Sequence, residues 1–238
     1  MFSEAPELYD LIYGSFKDYD DEAESIAQVL KRLAPTAKVI LDVGCGTGEH
    51  ARHLQTEHGF IVHGLDIQPA FLEVARAKLP DSQFWEADMA DFDLGVRFDV
   101  ILCLFSSIGY LCEVDRVEQA LRCFQRHLHP DGVLVVEPWF APGSWNPGKV
   151  YVQSAESESD GLHVVRMSHS SIEGRISKLE FHYLVGRPGG VDYRVEHHEL
   201  GLFTTAELTA CFERAGLDDV SYEPDGLIGR GMFVARVR

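Results

Sequence analysis

Positive charge is scarce in this sequence: 21 Lys and Arg stand against 38 Asp and Glu, a formal net charge of −17. Phosphate backbones are held by cations that release condensed counterions, and a field of the wrong sign slows approach, so nucleic acid and anionic membranes are excluded as partners unless a local patch reverses the balance. Cysteine is sparse as well. Cys45, Cys103, Cys112, Cys123 and Cys211 are odd in number and form no C-x-x-C pair, so neither a disulfide framework nor a cysteine zinc site is implied and no metal is expected. No apolar run approaches the ~20 residues of a membrane span. The N-terminus, MFSEAPELYD, lacks a basic segment followed by an apolar one. A soluble, unprocessed, cytoplasmic protein is expected. The remainder is ordinary: 45% hydrophobic and 25% charged, with no repeat or low-complexity block, enough chain for one core and an appended subdomain.

What is present is an alternation of two periods. From Asp20, Ile26, Val29, Leu30 and Leu33 recur at helical spacing until Pro35. Val39 to Val43 is then a short β-branched run of the kind buried on both faces of a parallel sheet, followed at once by glycines. Strand and helix recur: Ile61 to Leu65 before a helix through Phe71, Leu72 and Ala75, then Phe98 to Leu104 before a helix through Val117, Leu121, Phe124 and Leu128. Gly132 to Glu137 is a further strand. Helices of this length between strands imply right-handed crossovers and a doubly wound sheet. Beyond Glu137 comes a Pro- and Gly-rich passage and three extended segments. In the middle one Leu179, Phe181, Tyr183 and Val185 share one face, with a hairpin turn at Glu173-Gly174 before it. Thr204-x-x-Glu207 opens a last helix as a capping box, its buried face is Leu208, Phe212 and Ala215, and it ends at Gly216. Val220 to Glu223 and Phe233 to Val237 are joined too closely for a crossover, so they pair antiparallel.

The strongest local signal is Asp42-Val43-Gly44-Cys45-Gly46-Thr47-Gly48, because glycines straight after a buried strand let backbone approach a ligand and present amides at a helix N-terminus. The spacing departs from G-x-G-x-x-G: Glu49 stands where that fingerprint carries its third glycine, and a carboxylate beside a pyrophosphate is repulsive. Asp66 ends the second strand about twenty residues downstream, where an acid accepts from both ribose hydroxyls. The loop therefore suits a nucleoside without its phosphates, and a nicotinamide dinucleotide is disfavoured.

These residues resemble the class I S-adenosylmethionine-dependent methyltransferases, whose first motif looks like Asp42, Gly44, Gly46 and Gly48 and whose ribose-binding acid matches Asp66. The resemblance implies S-adenosyl-L-methionine as cofactor, an α/β fold with a Rossmann-like seven-stranded sheet and an antiparallel β insertion before the last helix, and further cofactor contacts from Asp88, Met89 and Leu104. Nucleic-acid amine methyltransferases carry D/N-P-P-Y/F after the fourth strand, and here that place holds Leu104-Phe105-Ser106-Ser107-Ile108-Gly109-Tyr110.

A closer resemblance spans nearly the whole chain. Glu7 to Leu11, Lys17-Asp18-Tyr19, Phe105 to Leu111, Glu137-Pro138-Trp139, Ser168 to Ser171, Glu173-Gly174 and Gly229 to Phe233 are similar to the antibiotic aminodeoxysugar N,N-dimethyltransferases, which methylate the amine of a dTDP-linked sugar. It implies that Tyr9 and Tyr19 close over the cofactor, that Trp139, Ser168, His169 and Ser170 line the sugar-nucleotide pocket, and that Arg230 binds pyrophosphate. A guanidinium between two glycines suits bidentate phosphate contact on its own chemistry, with Arg166 and Arg175 as further cations. By this resemblance residues 1–138 form an N-terminal lid and cofactor-binding core, 139–202 the acceptor-binding insertion and dimer contact, and 203–238 the rest of the core. The pattern is broken at Met1 or Phe2, where some members place a tyrosine, and at Leu227-Ile228, where the family has serine.

The expected chemistry is in-line displacement by a neutral amine, accelerated by approximation and exclusion of water, with Tyr110 orienting the amine and relaying a proton. Two other readings fit the same motifs. One is a methyltransferase for a different small amine or hydroxyl; the other is a protein that binds S-adenosylmethionine without turnover.

Overall fold

A computed structural model describes residues 6–227 and 229–237, so Met1, Phe2 and Ile228 lie outside the described residues. Helices α1 (Pro6–Gly14) and α2 (Tyr19–Leu33) precede β1 (Val39–Val43), α3 (Glu49–Thr56), β2 (Ile61–Asp66), α4 (Pro69–Lys78), β3 (Phe84–Glu86) and β4 (Phe98–Cys103). A 3₁₀ turn, Ser107–Leu111, leads to α5 (Val114–His127) and β5 (Leu128–Val136). Four long strands follow, β6 (Val150–Ser157), β7 (Leu162–Glu173), β8 (Ile176–Arg187) and β9 (Gly190–Gly201), and the chain closes with α6 (Thr205–Arg214), β10 (Asp218–Glu223) and β11 (Met232–Arg236).

Seven strands form one sheet in the order β10-β11-β5-β4-β1-β2-β3. β1 pairs in parallel with β2 on one side and β4 on the other, while β11 runs antiparallel to both β5 and β10. The order reverses between β1 and β4, so loops leaving these strands diverge and open a crevice at their carboxyl ends. One face is packed by α5 and α6 through Val117, Leu121, Phe124, Leu208 and Phe212. The other is packed by α2 to α4 through Ile26, Leu30, Leu54 and Leu72. The helical face read from Ile26 and Leu30 and the strand at Val39 to Val43 are thus as the periodicity implied. The capping box is also formed, with Thr204 Oγ1 accepting from the Glu207 amide at 3.2 Å and Glu207 Oε2 accepting from the Thr204 amide at 2.9 Å.

The insertion is a separate antiparallel sheet, β6-β7-β8-β9. It has four strands rather than the three extended segments expected. β6, Val-Tyr-Val-Gln-Ser-Ala-Glu-Ser, is largely exposed, so its hydropathy does not alternate cleanly. The inner face carries Leu162, Val164, Phe181, Tyr183 and Val185, which pack on Leu8 and Ile12 of α1. α1 is therefore a strap between the two sheets. It is pinned to the glycine loop by Thr47 Oγ1, which donates to Asp10 Oδ1 at 2.5 Å, and to α4 by Lys78 Nζ, which donates to Asp10 Oδ2 at 2.6 Å. Among the described residues no helix is long and apolar enough to cross a membrane.

One buried acid works against this packing. Asp42 lies in β1 with 2% of its surface exposed, and its Oδ2 has no hydrogen-bond partner among the described residues. Burial, reinforced by the Asp66 charge, pushes its carboxyl from 3.8 up to about 7. A raised carboxyl means that the folded protein holds a proton the unfolded chain releases: the stabilisation is complete below about pH 4 and is lost as pH rises through about 7. Asp42→Asn, a neutral mimic, is expected to raise the urea midpoint of the ligand-free protein at pH 8 by up to roughly 4 kcal/mol equivalent, at about 1.4 kcal/mol per pK unit, with the gain shrinking toward pH 4. A gain independent of pH contradicts this assignment.

Candidate functional site

The crevice at the β1/β4 reversal continues under α1 to the inner face of the second sheet as a single cavity of about 1010 Å³. Its first end is the glycine loop. Gly44 has φ +73°, and a Cβ there would lie 2.7 Å from Ser107 Oγ, so only glycine admits the loop this close to the turn after β4. Asp66 fastens the loop: Oδ2 accepts from the Gly46 amide at 2.8 Å and Oδ1 from the Gln68 amide at 2.9 Å. Burial raises the Asp66 carboxyl, and the backbone donors oppose that rise. Asp42, Gly44, Gly46, Asp66, Asp88, Met89 and Leu104 all line this end, as do Tyr9 and Tyr19 from the strap side.

Gly48 does not line the cavity. It caps α3 in the left-handed region at φ +80°, and a Cβ there would meet the Ala75 Cβ at 3.2 Å, so its role is the close packing of α3 on α4. Asp88 is already engaged, with Oδ1 accepting from the Ala90 amide at 2.8 Å and Oδ2 from Arg116 at 2.5 Å. Glu49, whose charge separates this loop from a dinucleotide fingerprint, is held below the usual glutamate range chiefly by Lys78, against its own burial.

The middle of the cavity is the segment from Leu104 to Tyr110. Phe105 and Ser106 both have positive φ, +51° and +64°, a conformation that costs non-glycine residues on the order of 1 kcal/mol each. Buried Glu137 at the end of β5 holds it, accepting from the Phe105 amide at 2.8 Å, and Ser106 Oγ donates to the Pro138 carbonyl at 2.8 Å. Burial raises the Glu137 carboxyl, with the Phe105 amide opposing. Tyr110 lines the cavity from the following turn, and its phenol is pushed well above its usual range by burial.

The far end is aromatic and cationic. The Arg230 guanidinium lies 5.0 Å from the Phe105 ring centre and 5.2 Å from that of Trp139, and its Nη1 donates to Ser106 Oγ at 3.2 Å. Burial lowers its pKa, with Glu137 opposing. Arg166 of β7 is 5% exposed and lies 4.8 Å from the Phe181 ring centre. It bonds Gln153 through Nη2, while among the described residues its Nε and Nη1 have no hydrogen-bond partner, nor has buried Ser170 Oγ. Trp139, Ser168, Ser170, Arg166 and Arg230 all line the cavity. His169 also lines the cavity, but it pairs with Val150 in the register and is exposed on the outward face of β7, as strand alternation requires. Arg175 is elsewhere, at the β7–β8 turn, with its guanidinium on Glu207 at 2.6 Å.

Sequence reading missed three contributors. Tyr13 lines the cavity one helical turn after Tyr9, Glu137 braces the Phe105 segment, and His198 of β9 stands behind Tyr110, its Nδ1 3.0 Å from the phenol oxygen. The i, i+4 spacing of Tyr9 and Tyr13 was the available signal for the first. Glu137 stands in the Glu137-Pro138-Trp139 stretch that resembles the family, but its bracing role, like the place of His198, depends on strand pairing.

Comparison with known proteins agrees with this geometry. Residues 40–132 match the Methyltransf_25 methyltransferase domain family. Over 232 residues, 97% of this chain and 89% of the relative, the chain is 44% identical to dTDP-3-amino-3,6-dideoxy-alpha-D-glucopyranose N,N-dimethyltransferase of Streptomyces fradiae. Among solved structures, DesVI of Streptomyces venezuelae superposes with a TM-score of 0.91 at 39% identity and full coverage of both chains. CalS10, an amino pentose methyltransferase from Micromonospora echinaspora solved with S-adenosylmethionine bound, gives 0.85 at 37% identity, covering 100% of this chain and 98% of that one. The nucleoside-type glycine loop, the seven-stranded sheet with its four-stranded insertion and these similarities have one conclusion: the chain belongs to the aminodeoxysugar N,N-dimethyltransferases, a family of class I S-adenosylmethionine-dependent methyltransferases.

Proposed function

We infer that the chain is an S-adenosylmethionine-dependent N-methyltransferase acting on the amine of a dTDP-linked aminodeoxysugar. The observation that carries this reading is one uninterrupted cavity with a carboxylate-rich glycine loop at one end and two guanidiniums, one with donors unpaired among the described residues, at the other. The loop end fits the cofactor: Asp66 retains lone pairs for ribose hydroxyls, and the unpartnered Asp42 oxygen suits an ammonium or its water. Bound there, S-adenosylmethionine supplies a sulfonium-activated methyl group, whose carbon the acceptor nitrogen takes while the C–S bonding pair leaves on sulfur.

The protein's part is placement. Tyr9 and Tyr19 shield the loop end from water, Tyr110 orients the amine with its phenol oxygen, and the Glu137 brace keeps Tyr110 at a fixed distance from Asp66. Arg230 and Arg166 hold the pyrophosphate, Ser168 and Ser170 add hydroxyl contacts, and Trp139 offers an apolar wall. The relative from Streptomyces fradiae is named for a sugar aminated at carbon 3; the same acceptor class is proposed here. Arg230→Ala is expected to raise the KM for dTDP-3-amino-3,6-dideoxyglucose at least tenfold, as loss of a charge-assisted hydrogen bond of about 1.5–3 kcal/mol requires, while S-adenosylhomocysteine affinity by calorimetry stays within twofold. An unchanged KM removes the sugar-nucleotide reading and leaves the methyltransferase standing.

A homodimer through the second sheet and a cytoplasmic location, which the unpaired cysteine pattern supports, complete the proposal. Val165, Leu184 and Tyr193 are in register across β7, β8 and β9 on the outward face, next to Val152, Met167 and Val195. Leu184 and Tyr193 are 51% and 61% exposed, so the stripe is an apolar surface of the kind that partners cover. Sedimentation is expected to give a dimer for the wild type and a monomer for Leu184→Glu; a wild-type monomer at micromolar concentration contradicts it.

A further inference from the structure

Behind Tyr110 stands a chain of groups that the placement of the amine does not use. The phenol oxygen is 3.0 Å from His198 Nδ1, and His198 Nε2 is 3.3 Å from Glu196 Oε2. Tyr183 donates to the same Glu196 oxygen at 3.2 Å. His198 is 1% exposed and Glu196 7%, and neither lines the cavity; Tyr110, which does, stands between its space and the His198 ring. A carboxylate accepts and does not donate, so the Glu196 contact puts the ring proton on Nε2 and leaves Nδ1 as acceptor for the Tyr110 hydroxyl. The Phe181 ring, 4.8 Å from the imidazole centre, fixes its plane. This is the order of an acceptor ring oriented by an acid, with a hydroxyl at the reacting end.

Dimethylation makes such a chain useful. Each methyl transfer leaves the sugar nitrogen as an ammonium, which has no lone pair for a second methyl until it sheds a proton. Resting on the reading that the acceptor amine lies at Tyr110, we propose that Tyr110, His198 and Glu196 form a relay that carries this proton out of the closed site. The ammonium N–H bond breaks and its electron pair stays on nitrogen. That proton bonds to Tyr110 Oη as the phenol's own proton passes to His198 Nδ1, and the imidazolium so formed keeps its Nε2–H on Glu196. The proton returns by the same path to water when the site opens, leaving all three groups as they began. Burial lowers the His198 pKa, with Glu196 opposing, so the ring is neutral at the start of each cycle and gives up a received proton readily once the site opens. His198 and Glu196 act through Tyr110 and are positioning residues; only Tyr110 touches the substrate.

The test separates holding from relaying. In His198→Asn the side-chain oxygen stands near the position of Nδ1, so it can still accept from Tyr110 but cannot take a proton. With dTDP-3-amino-3,6-dideoxyglucose the wild type's dimethylated product is the baseline, and its absence would count against the proposed acceptor rather than the relay. In His198→Asn the KM for the sugar nucleotide and the affinity for S-adenosylhomocysteine are expected within about twofold of wild type. Its kcat should fall ten- to a hundredfold, within the range of a modest acid–base contribution, and monomethylated product should accumulate. Glu196→Gln keeps the shape and should fall in the same direction, which guards against a misfolded asparagine variant. Independently of turnover, nitrogen-15 spectra of the ligand-free protein, with His198 assigned by its loss in the asparagine variant, are expected to show the neutral Nε2–H tautomer at pH 7.5. An Nδ1–H tautomer, or a kcat and product ratio unchanged in both variants, overturns the relay.

Discussion

The carboxylate of Glu137 is the contact on which the middle of the cleft depends. It directly follows β5, is buried, and accepts from the amide of Phe105, two residues after β4. Phe105 and Ser106 adopt left-handed backbone that neither side chain favours, and two bonds to the end of β5, from Glu137 and from the Pro138 carbonyl, hold them there. Everything useful about the segment follows from that bend. The Phe105 ring lies against both Arg230 and Lys17, the latter 4.0 Å from its centre, and the next turn delivers Tyr110 to the cavity. A serine at position 106 supplies both the hydroxyl that ties the bend to Pro138 and the acceptor for Arg230. One carboxylate thereby fixes the spacing between the nucleoside end and the cationic end.

The charge distribution follows the same division. A protein of net charge −17 repels phosphates at long range, yet screening beyond about 8 Å at physiological ionic strength lets a local pair of arginines decide. Arg166 is held in a box of rings with two nitrogens unpartnered among the described residues, a costly arrangement for a buried cation that an anion would relieve. Arg230 is stacked on Phe105 and Trp139, and among the described residues no ion pair is formed by its guanidinium. At the other end Asp42 and Asp66 crowd two acids together, which disfavours phosphate and favours a ligand bearing hydroxyls and positive charge. The strap α1 spans both halves, packed on the second sheet by Leu8 and Ile12 and fastened to the first by Asp10.

Much of this was legible in the sequence, for reasons that differ by element. The strand at Val39 to Val43, the helix carrying Ile26 and Leu30 and the capping box at Thr204 are written in local periodicity and hydrogen-bonding chemistry, so their positions needed no tertiary knowledge. Asp42, Gly44, Gly46 and Asp66 were readable because a fixed loop length ties them together. Gly48 lies in the same motif but serves helix packing, a distinction only the neighbouring Ala75 reveals. β3 is three residues long, too short to show a period, and β6 is exposed on one face and only half-buried on the other. His169 fell on the outward side of a strand whose inward side carries Ser168 and Ser170, a parity that the site motif alone does not fix. The contacts Glu137–Phe105, Tyr110–His198 and Arg166–Phe181 join residues from 15 to 88 positions apart and exist only once strands have found their register.

A ternary crystal structure with S-adenosylhomocysteine and dTDP tests the central claim, that one cleft holds cofactor and sugar nucleotide end to end, more directly than any single variant. The expected result is the ribose of the cofactor on Asp66, the pyrophosphate of dTDP between Arg230 and Arg166, and an open path between them past Tyr110. Pyrophosphate bound elsewhere, or a cofactor whose sulfur points away from Tyr110, would contradict it.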